Sequence, residues 1–179
     1  KSRKYIIIGS SSTVSSEYQI LNADTPDGEF KIFQKRQQDL EYNIAHYNDC
    51  FYIISNADKS INFKLLKTKE ISTEKENWQE VIPHRKDVLL ESMTLFNNFL
   101  VLEERIKGIN NVRVLPWTDL NKGHYIDFGE QAFTASTSTN PDFNTDIVRL
   151  SYTSMTTPQT VYDYNMKTQK LEIKKEREV

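Results

Sequence analysis

His46-Tyr47-Asn48-Asp49-Cys50-Phe51-Tyr52-Ile53-Ile54 reads as two strands joined at an Asn-Asp turn, and Leu95-Phe96-Asn97-Asn98-Phe99-Leu100-Val101-Leu102-Glu103 reads the same way. Laid on one another, Tyr47 meets Phe96, Asn48 meets Asn97 and Phe51 meets Leu100, an offset of 49. Carried on without a gap, the same offset sets Phe63 on Val112 and Leu65 on Val114. A looser copy lies at twice that offset, with Tyr52 on Leu150 and Phe63 on Val161. An earlier one lies about 45 residues upstream, with Ile6 on Phe51 and Tyr18 on Phe63.

A period of roughly 40–50 residues holding about four short strands is the signature of a β-propeller, in which each blade is a small antiparallel sheet. One such sheet cannot bury both of its faces alone, so it depends on stacking against its neighbours. Strand-like segments rich in β-branched and aromatic residues run at 4–9, 17–21, 30–33, 41–47, 50–55, 62–66, 88–96, 99–104, 112–115, 124–128, 147–154, 160–164 and 170–174. Turn signals separate them. In Asp24-Thr25-Pro26-Asp27-Gly28, Pro26 supplies a fixed φ and Gly28 is expected at positive φ. The charged stretch 67–77 reads as an exposed connection with a helical turn. The expectation is an all-β propeller fragment of about four blades, at about 1–38 (incomplete), 39–84, 85–129 and 130–179. Four blades close a ring poorly, so either further blades precede these or the piece pairs with another copy of itself.

Composition narrows the function classes. The 25 acidic and 23 basic side chains nearly cancel, to a net charge of -2, which offers no electrostatic reason to expect a nucleic-acid partner. The apolar runs at Tyr5–Ile8 and Cys50–Ile54 are far too short to span a bilayer. The single cysteine, Cys50, excludes an intrachain disulfide, and no Asn-x-Ser/Thr acceptor occurs. Both features fit a reducing, cytoplasmic setting.

The polar residues do not assemble catalytic machinery. His46, His84 and His124 fall in three different units without metal-ligand spacing. Asp24, Asp27 and Asp58 do not form a calcium loop and suit turns. No cofactor or metal is therefore expected. Cys50 lies four residues from His46 and suits a small core hydrophobe. Ser10–Ser16 supplies hydroxyls in a polar strand-connecting loop, but no Gly-x-Ser-x-Gly elbow, base or oxyanion hole accompanies them. Glu103-Glu104-Arg105 suits either a cross-strand pair or a blade-to-blade bridge. Pro83-His84-Arg85-Lys86-Asp87 is the most interesting cluster, because it sits where the chain crosses from an outer strand to the next inner one. Two readings stand there: His84 and Arg85 contact another domain or a ligand carboxylate, or the loop is solvated and locally paired.

Three segments carry a family resemblance. They are Ser10–Tyr18 with Asp24–Phe30, Val81–Glu91, and, most specific, Asn144-Thr-Asp-Ile-Val-Arg-Leu-Ser-Tyr-Thr-Ser-Met-Thr-Thr-Pro-Gln-Thr-Val-Tyr-Asp-Tyr164. In order and over almost the whole chain, the sequence resembles the oligopeptidase B (protease II) group of the prolyl oligopeptidase family. The resemblance implies a parent with a seven-bladed propeller and an α/β-hydrolase domain bearing a Ser-Asp-His triad. That parent would cleave short peptides after Arg or Lys, with the propeller admitting only small substrates. This chain then corresponds to the second half of the propeller. No triad or specificity residue transfers, because no position here matches those motifs. The partner implied is the peptidase domain of the same parent chain. The competing expectation is a free-standing interaction scaffold. A propeller enzyme with its own channel site would need clustered inward acids or metal ligands, which the sequence lacks.

Overall fold

A computed structural model describes residues 2–178. It contains fifteen strands in four antiparallel sheets, and no α-helix among the described residues. The chain divides into two compact units, 1–86 and 87–179, each holding two sheets. Every sheet is a meander in which consecutive strands pair.

In the first unit, β1 (Tyr5–Ser12), β2 (Ser15–Asn22) and β3 (Lys31–Gln34) form a three-stranded sheet. The second sheet comprises β4 (Tyr42–Tyr47), β5 (Cys50–Ser55), β6 (Lys64–Lys69) and β7 (Gln79–Ile82). The core between them is aromatic: Phe33, Tyr42, Ile44, Phe51, Ile53 and Leu66 are buried together, with Tyr5, Tyr18 and Trp78 packed around them. A bulge breaks the β2–β3 register between Tyr18 and Gln19. The Tyr42 hydroxyl fills that break, accepting from the Tyr18 N–H at 3.0 Å and donating to the Gln34 carbonyl at 2.9 Å. The phenol pKa is pushed up to about 12, chiefly by burial. Ile6, Ile8 and Ile32 of the first sheet remain exposed.

Ser10–Ser16 is not a loop. β1 and β2 continue through it and turn at Thr13-Val14. The physical reason is Arg36, whose guanidinium donates to the carbonyl and hydroxyl oxygens of both Ser10 and Ser15, at 2.9–3.1 Å. One planar fork thus ties together a hairpin end with little apolar content.

In the second unit, β8 (Val88–Leu95), β9 (Phe99–Ile106), β10 (Ile109–Pro116) and β11 (His124–Tyr125) form one sheet. The other contains β12 (Phe133–Thr137), β13 (Ile147–Ser154), β14 (Thr160–Asn165) and β15 (Lys170–Glu176). Val101, Val112 and Val114 of the first pack with Ala135, Val148, Leu150, Tyr152 and Tyr164 of the second. β9 and β10 meet at Lys107-Gly108, both at positive φ (50° and 85°), a pair of angles that matches the strand twist in a two-residue hairpin.

Three further details depart from expectation. Gly28 is not at positive φ; a Cβ there would lie 3.1 Å from the Thr25 carbonyl and 3.2 Å from the Leu21 side chain, so tight space is what suits glycine. The stretch 67–77 is strand up to Lys69, and only Lys75–Asn77 form a helical turn, of the 3-10 type. β7 and β12 lie in stretches without a strand reading.

Leu150 is fully buried in the core shared by the two sheets. Leu150→Ala is expected to lower the unfolding free energy by about 2–5 kcal/mol, whereas Lys175→Ala at an exposed strand position should change it by less than about 0.5 kcal/mol. Urea titrations of the two variants check this.

Candidate interdomain contact site

The connection from β7 to β8 carries His84 and Arg85, both half-buried. The Asn62 side-chain amide pins it, donating to the Arg85 and Lys86 carbonyls at 3.2 and 2.8 Å. The connection is therefore held in shape by the β5–β6 loop. His84 Nε2 is enclosed and has no hydrogen-bond partner, alone in this respect among buried side-chain polar atoms of the described residues. Such an atom costs about 1–3 kcal/mol when left unsatisfied, so it marks the connection as unusual.

The other two histidines are engaged. His46 is buried, with Nε2 2.6 Å from Glu70 Oε1 and Nδ1 2.7 Å from Ser2 Oγ. Tyr5 and Phe51 pack edge-on against its ring. Burial drives the His46 pKa down, against the opposing pull of Glu70. The Glu70 carboxyl is pushed up by desolvation, but its bonds from Lys4 and His46 outweigh that and leave it below its ordinary value. His124 Nε2 lies 2.7 Å from the Tyr164 hydroxyl, and desolvation lowers its pKa as well. Cys50 is a free, half-buried thiol at the start of β5. No three His, Cys, Asp or Glu among the described residues are grouped to hold a metal ion.

The acidic run after Leu102 splits three ways. Glu103 reaches the neighbouring sheet and accepts from the Thr137 N–H at 2.9 Å. Glu104 is fully buried, beside Arg113 at 3.8 Å and the Tyr125 hydroxyl. Arg105 pairs with Glu91 on the adjacent strand at 2.6 Å. Both structural readings of this segment thus hold, one residue apart.

Sequence reasoning overlooked Glu130. Its carboxylate accepts from the Tyr152 hydroxyl (2.8 Å), Thr156 Oγ1 (2.7 Å) and Thr157 Oγ1 (2.8 Å), which brace the β13–β14 turn. Hydrogen bonds from Thr156 and its neighbours hold the Glu130 pKa down at about 2. The only local signal was the four hydroxyl residues Thr153, Ser154, Thr156 and Thr157, and their carboxylate partner lies more than twenty residues upstream.

The model of the prolyl oligopeptidase N-terminal β-propeller domain matches residues 1–177. The chain belongs to this family. Among the relatives of this propeller domain, dipeptidyl aminopeptidase BI of Pseudoxanthomonas mexicana is 39% identical over 92% of the chain and 22% of its own length. Protease 2 of Moraxella lacunata is 25% identical over 94% of the chain and 24% of its own length. The solved structure of oligopeptidase B from Trypanosoma brucei, in a closed form with covalently bound antipain, superposes with a TM-score of 0.90. It is 28% identical and matches over 98% of this chain and 26% of that one. The propeller segment therefore spans about a quarter of the length of these relatives. No helix of the described residues is long and apolar enough to cross a membrane.

The buried groups set the acid limit of this segment. His46 is favoured neutral in the fold, so stability is complete above its ordinary pKa of 6.5 and falls as the unfolded chain takes up a proton below it. Glu130 adds a second loss, starting near 4.5 and ending near its folded value of about 2. Melting temperature against pH should be flat between about 7 and 9 and decline below about 6.5, where His124 shares the loss. His46→Gln should lower the plateau and make the first decline shallower, leaving the part due to His124; an unchanged slope in that variant would assign the decline elsewhere.

Proposed function

We propose that the chain is the non-catalytic propeller portion of a serine oligopeptidase that cleaves short peptides after Arg or Lys. In this reading it forms one partial domain, 1–179, of four consecutive units (about 1–38, 39–84, 85–129 and 130–179) from a seven-bladed ring. The hydrolase domain lies elsewhere in the parent chain. The blades act sterically, excluding large folded substrates, and their loop ends hold the hydrolase domain. The family membership over residues 1–177 carries this reading. The likeness to oligopeptidase B supports the oligopeptidase assignment. His84 and Arg85 are assigned to the docking surface; their half-exposed place on the strand-to-strand connection supports that. The single cysteine and the absence of an Asn-x-Ser/Thr acceptor support a cytoplasmic parent.

A second reading concerns the parent's cut. The 39% identity to a protein named dipeptidyl aminopeptidase favours release of N-terminal dipeptides over cleavage after basic residues. The free-standing scaffold draws no support from relatives four times as long as their matched segment.

Assays on the full parent separate these. Turnover of an Arg-containing tetrapeptide amide is expected, falling steeply when the same sequence is embedded in a folded protein. Sequential dipeptide release with no internal cleavage after Arg or Lys would favour the second reading. Equal cleavage of peptide and folded protein would end the gate. Serine-hydrolase turnover by the 179-residue chain alone would end the non-catalytic assignment.

A further inference from the structure

His46 and Lys4 share one acceptor. His46 Nε2 and Lys4 Nζ each lie 2.6 Å from Glu70 Oε1, and Lys4 Nζ also reaches Oε2 at 2.7 Å. An ionised carboxylate only accepts, so Nε2 carries the proton of the neutral ring and Nδ1 is bare. The Ser2 hydroxyl, 2.7 Å away, then donates to Nδ1. With the ring neutral, one ammonium and one carboxylate balance. A proton on Nδ1 sets a second cation against an oxygen that already holds one, at a side chain only 3% exposed. Burial holds the His46 pKa down despite Glu70, so the proton is taken up when the cluster opens.

The cluster also fastens two sheets. Ser2 and Lys4 lead into β1, His46 lies in β4, and Glu70 follows β6. The Lys4 carbonyl accepts from the Ala23 N–H at 2.9 Å, so the same residue closes one end of the β1–β2 ladder. Further along, the join between the sheets does not titrate near neutrality. It consists of the Tyr42 hydroxyl and of the Ser16 N–H on the Leu40 carbonyl at 3.0 Å. Around the His46 ring, Phe51 of β5 and Tyr5 of β1 pack edge-on, and burial and Glu70 push the Tyr5 phenol pKa up. Asp49, in the β4–β5 turn, attracts Lys4. In the 179-residue chain the α-amino group adds a small repulsion toward a charged ring.

Exposure decides which cation gives way. The Lys4 side chain is 40% exposed and hydrates where it stands, whereas the imidazole has no such route to water. We infer that Glu70 is a proton-operated exchange point between the first two sheets: protonated His46 keeps the carboxylate, Lys4 is released to water, and the Lys4–Ile8 end of β1 loosens while the Ser12 end stays fastened. The exchange goes beyond the proposed function and does not depend on it.

Hydrogen exchange of the full parent, corrected for the intrinsic pH dependence of amide exchange, tests this by mass spectrometry. An opening that takes up one proton grows by up to about ten-fold per pH unit below the ordinary histidine pKa. Peptides covering Lys4–Ile8 should therefore lose about ten-fold in protection between about pH 6.5 and 5.5, with β5 and Ser10–Ser16 unchanged. His46→Gln, which keeps a donor for Glu70 without a titrating ring, should abolish the loss. Lys4→Met, at an exposed side chain, should leave Lys4–Ile8 poorly protected at both pH values, without the step. Constant protection of Lys4–Ile8 in the wild type, a fall shared equally by β5, or a step that persists in His46→Gln would each overturn the exchange.

Discussion

The structure depends on the covering of two-faced sheets. Strand side chains alternate with a period of two, and in β9 the consecutive residues Leu100, Val101 and Leu102 are all buried, so both faces of that strand are out of water. At about 25 cal/mol per Å2 of apolar area removed from water, covering the second face adds to what stabilises each sheet. The second unit shows the solution in detail: valines of β9 and β10 meet Ala135, Val148, Leu150 and Tyr152, and Glu103 crosses to Thr137. The first sheet shows the uncovered condition, with Ile6, Ile8 and Ile32 in solvent.

The same alternation explains why the repeat was legible. The hairpins β4–β5 and β8–β9 share the offset of 49, with Tyr47 opposite Cys50 and Phe96 N–H bonded to Phe99. Beyond them the register slips. Cys50 pairs with Lys69 and Phe99 with Pro116, so the equivalent positions on β6 and β10 are 47 apart. The slip is two residues, and an even slip leaves every side chain on its original face. Leu65 and Val114 are accordingly both buried, although their backbone positions are not equivalent. Strands β7 and β12 escaped because Gln79-Glu80-Val81-Ile82 and Phe133-Thr-Ala-Ser-Thr137 carry too few large apolar residues; their partners across the sheet make them strands.

The polar sites were less legible, for a different reason. The place of His84 and Arg85 in a strand-to-strand connection follows from the repeat, but the pinning by Asn62 and the enclosure of Nε2 do not. Ser10–Ser16 looked like a loop because the stabilising Arg36 lies some twenty residues downstream. Glu130 and the Ser2–His46–Glu70 chain likewise join residues that only sheet pairing brings together. Local pattern exposes faces and turns, and it misses hydrogen-bond networks assembled across strands.

The functional account follows from this division. The interior groups hold the sheets together, and what remains distinctive lies at the connections between strands. Hydrogen exchange by mass spectrometry on the 179-residue chain tests the covering of sheet faces most directly. Amides of β9 should exchange slowest, and those of β1, whose side chains are largely exposed, should exchange orders of magnitude faster. Equal protection of β1 and β9 would contradict the account, because stability would then come from pairing within each sheet and not from the covering of its faces.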